Sequence, residues 1–185
     1  MARDEMPTGS VAAVHRSDRH EFSKRTRPSI TLLAGLGVED DAHLGARVQH
    51  RSRVRRDPDQ PNLRQVHLVA SELLSDVRDA GFDVSPGDLG ENVTTSGLDL
   101  IDLPVGTTLR IGDAVIALTG LRNPCTQIDA FREGLQAQML GRDADGRIVR
   151  RTGVMGVVVC GGEIRPGDVI GVATPAGEPV PMGTI

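Results

Sequence analysis

The sequence contains no tryptophan and no tyrosine, and it has only three phenylalanines. A hydrophobic core must therefore be built mainly from valine, leucine and isoleucine. Lysine is nearly absent too, because Lys24 is the only one and the other 20 of the 21 basic residues are arginines. Any chemistry that needs a lysine amine has to use Lys24.

The two cysteines, Cys125 and Cys160, are too few for a disulfide framework or an iron–sulfur ligand set. No charged-then-apolar leader opens the sequence, and its apolar stretches fall far short of the roughly 20 residues that span a bilayer. The net charge of -4 disfavours a nucleic-acid coat protein, since that affinity comes from many cations that meet phosphates. We therefore expect a cytoplasmic protein that binds neither membrane nor nucleic acid.

The length of 185 residues fits a single domain, 1–185, with its core over about 11–172. The ends, up to about Thr8 and beyond about Pro175, are expected to be loosely ordered. Short β-branched runs bounded by glycine predict many strands, and helical spacing of apolar residues predicts helices over 71–80 and 127–140. The expected fold is mostly β: a closed or partly open β-barrel with a few peripheral α-helices. Strands are predicted at 10–15, 30–33, 66–69, 93–95, 107–111, 114–119, 153–160 and 169–172.

Cys125 is the main candidate for chemistry, because Pro124 turns the chain at the end of a predicted strand and should present the thiol there. Arg122 lies three residues earlier, and a nearby guanidinium favours the thiolate, the form that binds soft metals or attacks sulfur. The alternative is a buried structural cysteine. Cys160 follows three valines in a strand that we predict to be buried on both faces, and it should be inert.

The glycine-punctuated segment Gly35–Gly45 predicts an irregular loop that can approach a ligand. Within it, His43 and the neighbouring Asp40 and Asp41 lack the ligand spacing of a zinc site, so His43 is interpreted as a hydrogen-bonding loop residue. Motifs of the H-x-x-x-H, G-x-S-x-G and G-x-G-x-x-G types are absent. These absences disfavour zinc hydrolases, serine hydrolases and dinucleotide-binding proteins.

An ordered set of motifs resembles the MOSC domain, which is named for the C-terminal domain of molybdenum cofactor sulfurases. Each motif is weak alone, but their order is specific, and together they cover roughly 11–172. The motifs are Gly35–Gly45, Pro86–Asn92, Leu98–Leu100 with Val105-Gly106, Arg122–Cys125 and Gly161–Asp168.

The resemblance implies a β-barrel with peripheral helices and a cysteine, by position Cys125, that ligates molybdenum or carries sulfur. It also implies that the loops 35–45 and 87–92 border the cofactor cleft, with cofactor-binding positions at Asp41, His43, Asn92 and Arg122. The first loop reads Glu39-Asp40-Asp41 where many relatives have Gly-Asp-Arg, so a basic residue is missing there.

Three functions are compatible with the resemblance. The first is a molybdenum-pterin reductase module that acts on small N-hydroxylated compounds with an external electron-donor protein. The second is a sulfur carrier or sulfurtransferase that takes a persulfide on Cys125 from a cysteine desulfurase, and the third is a non-catalytic cofactor-binding module. Pyridoxal phosphate is not expected, because the desulfurase domain of some relatives is missing and Lys24 is predicted to lie in a charged loop.

Overall fold

The computed structural model describes residues 8–185. Strands account for 35% of the chain and helices for 13%, which confirms the mostly β prediction. The helices are α1 (Arg51–Val54), α2 (Ser71–Asp79), α3 (Thr126–Phe131) and α4 (Leu135–Gln138). The strands are β1 (Thr8–Arg16), β2 (Arg25–Arg27), β3 (Ile30–Leu33), β4 (Gly37–Val38), β5 (Val66–Ala70), β6 (Val93–Ser96), β7 (Thr108–Ile111), β8 (Ala114–Leu121), β9 (Leu140–Arg142), β10 (Ile148–Arg150), β11 (Val154–Cys160), β12 (Gly162–Ile164) and β13 (Val169–Ala173).

Seven of the strands in residues 8–185 close into a barrel in the order β13, β7, β8, β11, β5, β6, β1, and the predicted β-barrel is thereby confirmed. Antiparallel pairing of β1 with β13 closes the ring. All neighbours are antiparallel except β5 and β6. Strand β2 extends the sheet beyond β1, while β12, β3 and β4 form a small sheet and β9 and β10 form a hairpin.

The barrel interior is filled by aliphatic side chains, as the shortage of aromatic residues predicts. Strand β7 shows the alternation, since Leu109 and Ile111 are fully buried while Arg110 between them is exposed. Leu68, Ile116 and other side chains of similar size complete this core. Burying one such side chain contributes roughly 1.5–3 kcal/mol, so this packing fixes the strand ends that carry the site.

A second hydrophobic cluster lies outside the barrel, between β5 and helices α2, α3 and α4. All three phenylalanines, Phe22, Phe82 and Phe131, pack against it, and the rings of Phe22 and Phe131 are 5.6 Å apart. Cys125 packs at the edge of the same cluster. The cluster therefore holds the loop between β8 and α3 in place.

The prediction of a single helix over 127–140 is wrong, because the segment forms two short helices, α3 and α4. Between them Arg132 is extended and Gly134 has a left-handed φ of 83°. The apolar spacing was still informative, since Ile128, Leu135 and Met139 are all buried.

One further expectation differs from the structure. Cys160 is exposed, not buried, because the pairing of β11 with β8 shifts register between Val158 and Cys160 and the strand end leaves the core. The segment beyond Pro175 packs on the barrel, where Leu121 and Gly183 share a backbone hydrogen bond of 2.8 Å. The expectation for the chain start falls on residues outside the described range, apart from Thr8, which is the first residue of β1.

In the described part of the chain, no helix combines the length and the apolar character that crossing a membrane requires.

Candidate functional site

A cleft of about 540 Å³ opens beside Cys125, where the loop after β8 meets the segments around Lys24, His43 and Asn92. Three predicted site residues, His43, Asn92 and Arg122, line this cleft together with Cys125. The structure also brings Lys24, Arg64 and His67 to its wall. The site is thus assembled from segments that are far apart in the sequence.

Cys125 is half-buried and occupies the position before the first residue of α3, with an extended backbone (φ −126°, ψ 162°). Its side chain does not cap the helix, and its Sγ lies 3.7 Å from Oε1 of Gln127. The thiol therefore faces the cleft with limited solvent access. A fully buried structural cysteine does not fit this placement.

Arg122 is buried at the end of β8 and lies next to Cys125. Its backbone N–H donates to the carbonyl of Gly153 (3.0 Å), and its guanidinium donates to the carbonyl of Leu89. Burial lowers the pKa of Arg122, and interactions with Cys125 and Glu91 oppose that shift. The guanidinium thus supplies a fixed positive charge where a thiolate or another anion would lie.

Asp41 lies behind the cleft wall, where residues of the described chain surround it with donors. Its Oδ2 accepts hydrogen bonds from Lys24 Nζ (2.7 Å), Asn92 Nδ2 (3.1 Å) and the N–H of Ser17 (3.3 Å). Its Oδ1 accepts from the N–H and Nδ1 of His43 (3.0 and 3.2 Å). Burial would raise the pKa of Asp41, but the bonds from His43 and the pairing with Lys24 outweigh it and hold the pKa well below its ordinary value. Asp41 orients cleft residues and has little capacity left for a ligand.

Lys24 lies in the charged loop between β1 and β2, as the sequence predicts, but the burial of its side chain was not predicted. Its side chain is buried and forms an ion pair with Asp41. Burial lowers the pKa of Lys24, and the charge and hydrogen bond of Asp41 oppose this shift. The backbone N–H of Lys24 donates to the carbonyl of Gly87 (2.8 Å), which connects this segment to the loop 87–92, called the second glycine loop below. Lys24 therefore lines the cleft as the cationic half of a buried ion pair.

Asn92 and His67 form a second orienting pair. Asn92 Oδ1 accepts from the N–H of His67 (3.2 Å), and His67 Nε2 donates to the carbonyl of Thr152 (2.8 Å). Glycine is required at position 153, because a Cβ there would lie 2.2 Å from the carbonyl oxygen of Leu68 and 3.0 Å from His67 Nε2. Gly153 therefore allows the neighbouring Thr152 carbonyl to lie close to His67. Burial lowers the pKa of His67 well below its ordinary value. His67 is thus a neutral imidazole whose Nδ1 is an acceptor.

Positive charge dominates the cleft wall. Burial, and then the charges of Arg53 and Arg122, lower the pKa of Arg64 to about 10. Within residues 8–185, Glu21 is the one carboxylate that lines the cleft. The six cationic lining residues are Lys24, Arg51, Arg53, Arg55, Arg64 and Arg122. Such a wall suits a phosphate or a carboxylate group.

The described residues contain no group of three or more His, Cys, Asp or Glu side chains placed to hold a metal ion. A metal in this cleft would therefore need ligands from a cofactor in addition to Cys125. Soft metals accept thiolate ligands, so one cysteine is a suitable protein contribution.

A buried network behind the cleft connects His15 to the second glycine loop. His15 Nε2 lies 3.0 Å from Thr94 Oγ1, and Thr94 Oγ1 donates to Glu91 Oε1 (3.0 Å). Burial, and then the charge of Lys24, lower the pKa of His15 to about 4. His15 is therefore neutral in the folded protein at neutral pH.

Acid should weaken the fold through His15. Between pH 6.5 and about 4 the unfolded chain binds a proton at this residue that the folded chain does not, so the free energy of unfolding should fall as the pH drops. The shift corresponds to about 3 kcal/mol, and below pH 4 the contribution of His15 should level off. His15→Gln should flatten the decline in urea unfolding at a series of pH values. His50→Gln is the comparison and should flatten the decline less, because burial also lowers the pKa of His50 but His50 is exposed at the surface. Equal slopes for wild type and His15→Gln would contradict the role of His15.

Lys24, Arg64 and His67 line the cleft but were not predicted to do so from the sequence. Lys24 offered one signal, since it is the only lysine of the chain. His67 lies in a strand that was predicted correctly, but the local pattern does not reveal which face of the strand meets the cleft. Arg150 and Arg151 do not line the cleft: Arg150 donates to Asn123 Oδ1 (3.1 Å), and Arg151 pairs with Asp76.

Fold and site together define a closed β-barrel protein with one thiol in a cationic cleft. The sequence profile of the MOSC domain matches residues 39–171, so the chain belongs to the MOSC domain family. This confirms the resemblance noted from the motifs. No curated protein sequence matches the chain significantly.

Solved structures with the same fold include three bacterial proteins. YuaD from Bacillus subtilis has a TM-score of 0.75 at 22% identity, over 91% of this chain and 97% of that one. YiiM from Geobacillus stearothermophilus has a TM-score of 0.61 at 16% identity, over 95% and 80% of the two chains. YiiM from Escherichia coli has a TM-score of 0.57 at 17% identity, over 95% and 72%. These identities establish a shared fold.

Proposed function

We propose that this chain binds a molybdenum-pterin cofactor in the Cys125 cleft and reduces small N-hydroxylated compounds with electrons from an external donor protein. The observation that supports it most is the half-buried thiol of Cys125 beside the buried guanidinium of Arg122, in a cleft whose wall is cationic. Membership of the MOSC family makes molybdenum the first metal to consider.

The residues present fit such a cofactor. A pterin brings its own sulfur ligands to molybdenum, so a single protein thiolate, that of Cys125, suffices. The cationic wall, with Arg64 and Arg122, suits the phosphate of the pterin. When bound, the cofactor would supply two-electron redox chemistry.

The side chains of the cleft would hold the substrate and move protons. Reduction of R–NH–OH to R–NH₂ takes up two electrons and two protons and releases water. His43 is suited to pass protons, because its Nδ1 is held by Asp41 and its Nε2 remains for the cleft. The neutral His67 and the amide of Asn92 would bind polar groups of the substrate. Asp41 would act through the residues it orients, not by touching the cofactor.

The proposal is tested with protein from a host that makes the pterin cofactor. Benzamidoxime serves as the N-hydroxylated substrate and reduced viologen as the electron donor. We expect formation of benzamidine with two viologens oxidised per product, and no reaction with protein from a host that cannot make the pterin. Molybdenum-loaded protein without turnover would contradict the reductase and favour a non-catalytic cofactor-binding module.

A sulfur carrier is the second candidate, because Cys125 lacks a surrounding metal-ligand group in the described residues. In this reaction the Cys125 thiolate attacks the outer sulfur of a desulfurase persulfide, which releases the desulfurase thiolate and leaves a persulfide on Cys125. Arg122 would stabilise both the attacking thiolate and the persulfide anion.

A further inference from the structure

Residues 47–56, between β4 and β5, include five arginines that the packing of the fold does not require. We call Arg47, Arg51, Arg53, Arg55 and Arg56 the arginine rim. The rim includes α1, a single turn with no buried residue. It therefore contributes nothing to either hydrophobic core, and its sequence is free to serve another purpose.

Most of the rim charge is not neutralised within the chain. Among residues 8–185, the one ion pair of the rim joins Arg47 to Asp59. Arg51, Arg55 and Arg56 are exposed. Burial is the main cause that lowers the pKa values of His20, Arg64 and His50, which line the cleft. The charge of Arg51 lowers the pKa of His20 further, and that of Arg53 does the same for Arg64 and His50. The electrostatic field of the rim therefore extends to the cleft wall. The rim thus concentrates positive charge on a protein of net charge -4.

An apolar residue lies in the middle of this charge. Val54 is 38% exposed and ends α1, directly before Arg55 and Arg56. Arginines around an exposed aliphatic side chain are the composition of a protein interface, where an apolar centre is surrounded by a charged border. An exposed valine would not contribute to the binding of a small anion, so Val54 favours a protein partner.

We propose that the arginine rim is the docking surface for an acidic electron-carrier protein, which would deliver its electrons to the Cys125 cleft. Arg51, Arg53 and Arg55 belong to both the rim and the cleft lining, so a protein on the rim covers the cleft mouth. Electrons must come from outside, since the chain has too few cysteines for an iron–sulfur cluster of its own. The identity of the partner as an electron carrier rests on the proposed reductase function, whereas its acidic surface follows from the rim charge.

The test uses the full chain and flavodoxin, a small acidic one-electron carrier, as the probe. The variant is Arg47→Glu with Arg56→Glu, two exposed rim arginines that do not line the cleft, and the matched control is Arg78→Glu with Arg110→Glu, two exposed arginines on α2 and β7 with the same change in charge. We expect the dissociation constant for flavodoxin to rise about tenfold or more in the rim variant and to stay unchanged in the control. Wild-type binding should weaken as salt is added.

Turnover separates docking from chemistry. With flavodoxin as donor, the rim variant should show a higher KM for the donor, and with reduced viologen it should match wild type. If viologen supports no reduction in any variant, the reductase proposal fails, but calorimetric binding of flavodoxin still decides the docking proposal.

Several results would overturn the docking proposal. The docking proposal fails if flavodoxin binds the rim variant and wild type with equal affinity, or if it does not bind wild type. Competition by a single-stranded DNA oligonucleotide at equal affinity would show general polyanion binding instead. Sedimentation that shows wild-type dimers and monomeric rim variant would assign the rim to contact between copies of the chain.

Discussion

Replacing Cys125 with serine is expected to remove molybdenum from protein that is purified from a pterin-producing host, without loss of the fold. Serine lacks the soft thiolate that molybdenum would use as its protein ligand. Cys125 also precedes the first residue of α3 without capping it, and serine is among the preferred residues at that position. The variant should therefore be at least as stable as wild type, and metal loss could not be attributed to unfolding.

Cys160→Ser is the matched control, because Cys160 is exposed at the end of β11 and is not part of the cleft lining. Elemental analysis should find molybdenum in wild type and Cys160→Ser but not in Cys125→Ser. Molybdenum in Cys125→Ser would show that Cys125 is not the protein ligand of the metal. If all three proteins are metal-free, intact-mass analysis after incubation with a desulfurase becomes decisive, since one added sulfur on wild type but not on Cys125→Ser would identify a sulfur carrier.

The barrel could be predicted because its determinants are local. Alternating residues such as Leu109, Arg110 and Ile111 show the strand period within one element, and glycines mark the turns between elements. Cys125 and Arg122 could be paired for the same reason, since a proline turn and a spacing of three residues keep them close. Local patterns thus predicted the scaffold and the proximity of Cys125 to Arg122.

The surroundings of Cys125 could not be predicted, because they depend on distant pairings. Lys24 lies among charged residues that indicate a loop. Only the fold brings it to Asp41, 17 positions along the chain, and through Asp41 close to Asn92, 68 positions along. The exposure of Cys160 depends on a register shift against β8, which leaves no mark in a run of valines. Gly134 shows the same limit, since glycine within an apolar period is compatible with both a continuous and a broken helix.

Asp41→Asn is expected to lower the free energy of unfolding by about 3–5 kcal/mol, the usual cost of leaving a buried charge unpaired. The substitution leaves the ammonium of Lys24 without its charge partner. It also places an amide N–H₂ among groups that donate hydrogen bonds to Asp41, such as Asn92 Nδ2, so donors would face each other. The side chain of Asp41 is 2% exposed, so water cannot replace the lost acceptor. Urea unfolding at neutral pH measures the change.

The neighbouring Asp40→Asn provides the same chemical change in a different environment. Asp40 pairs with Arg16, but its side chain is 69% exposed, and a surface pair of this kind contributes less than about 1 kcal/mol. Asparagine also tolerates the positive φ of 56° at this position. If both variants lose the same stability, the buried pair has no special role. If adding Lys24→Met to Asp41→Asn restores part of the loss, the cost is the uncompensated lysine charge, and Asp41 stabilises the cleft by neutralising it.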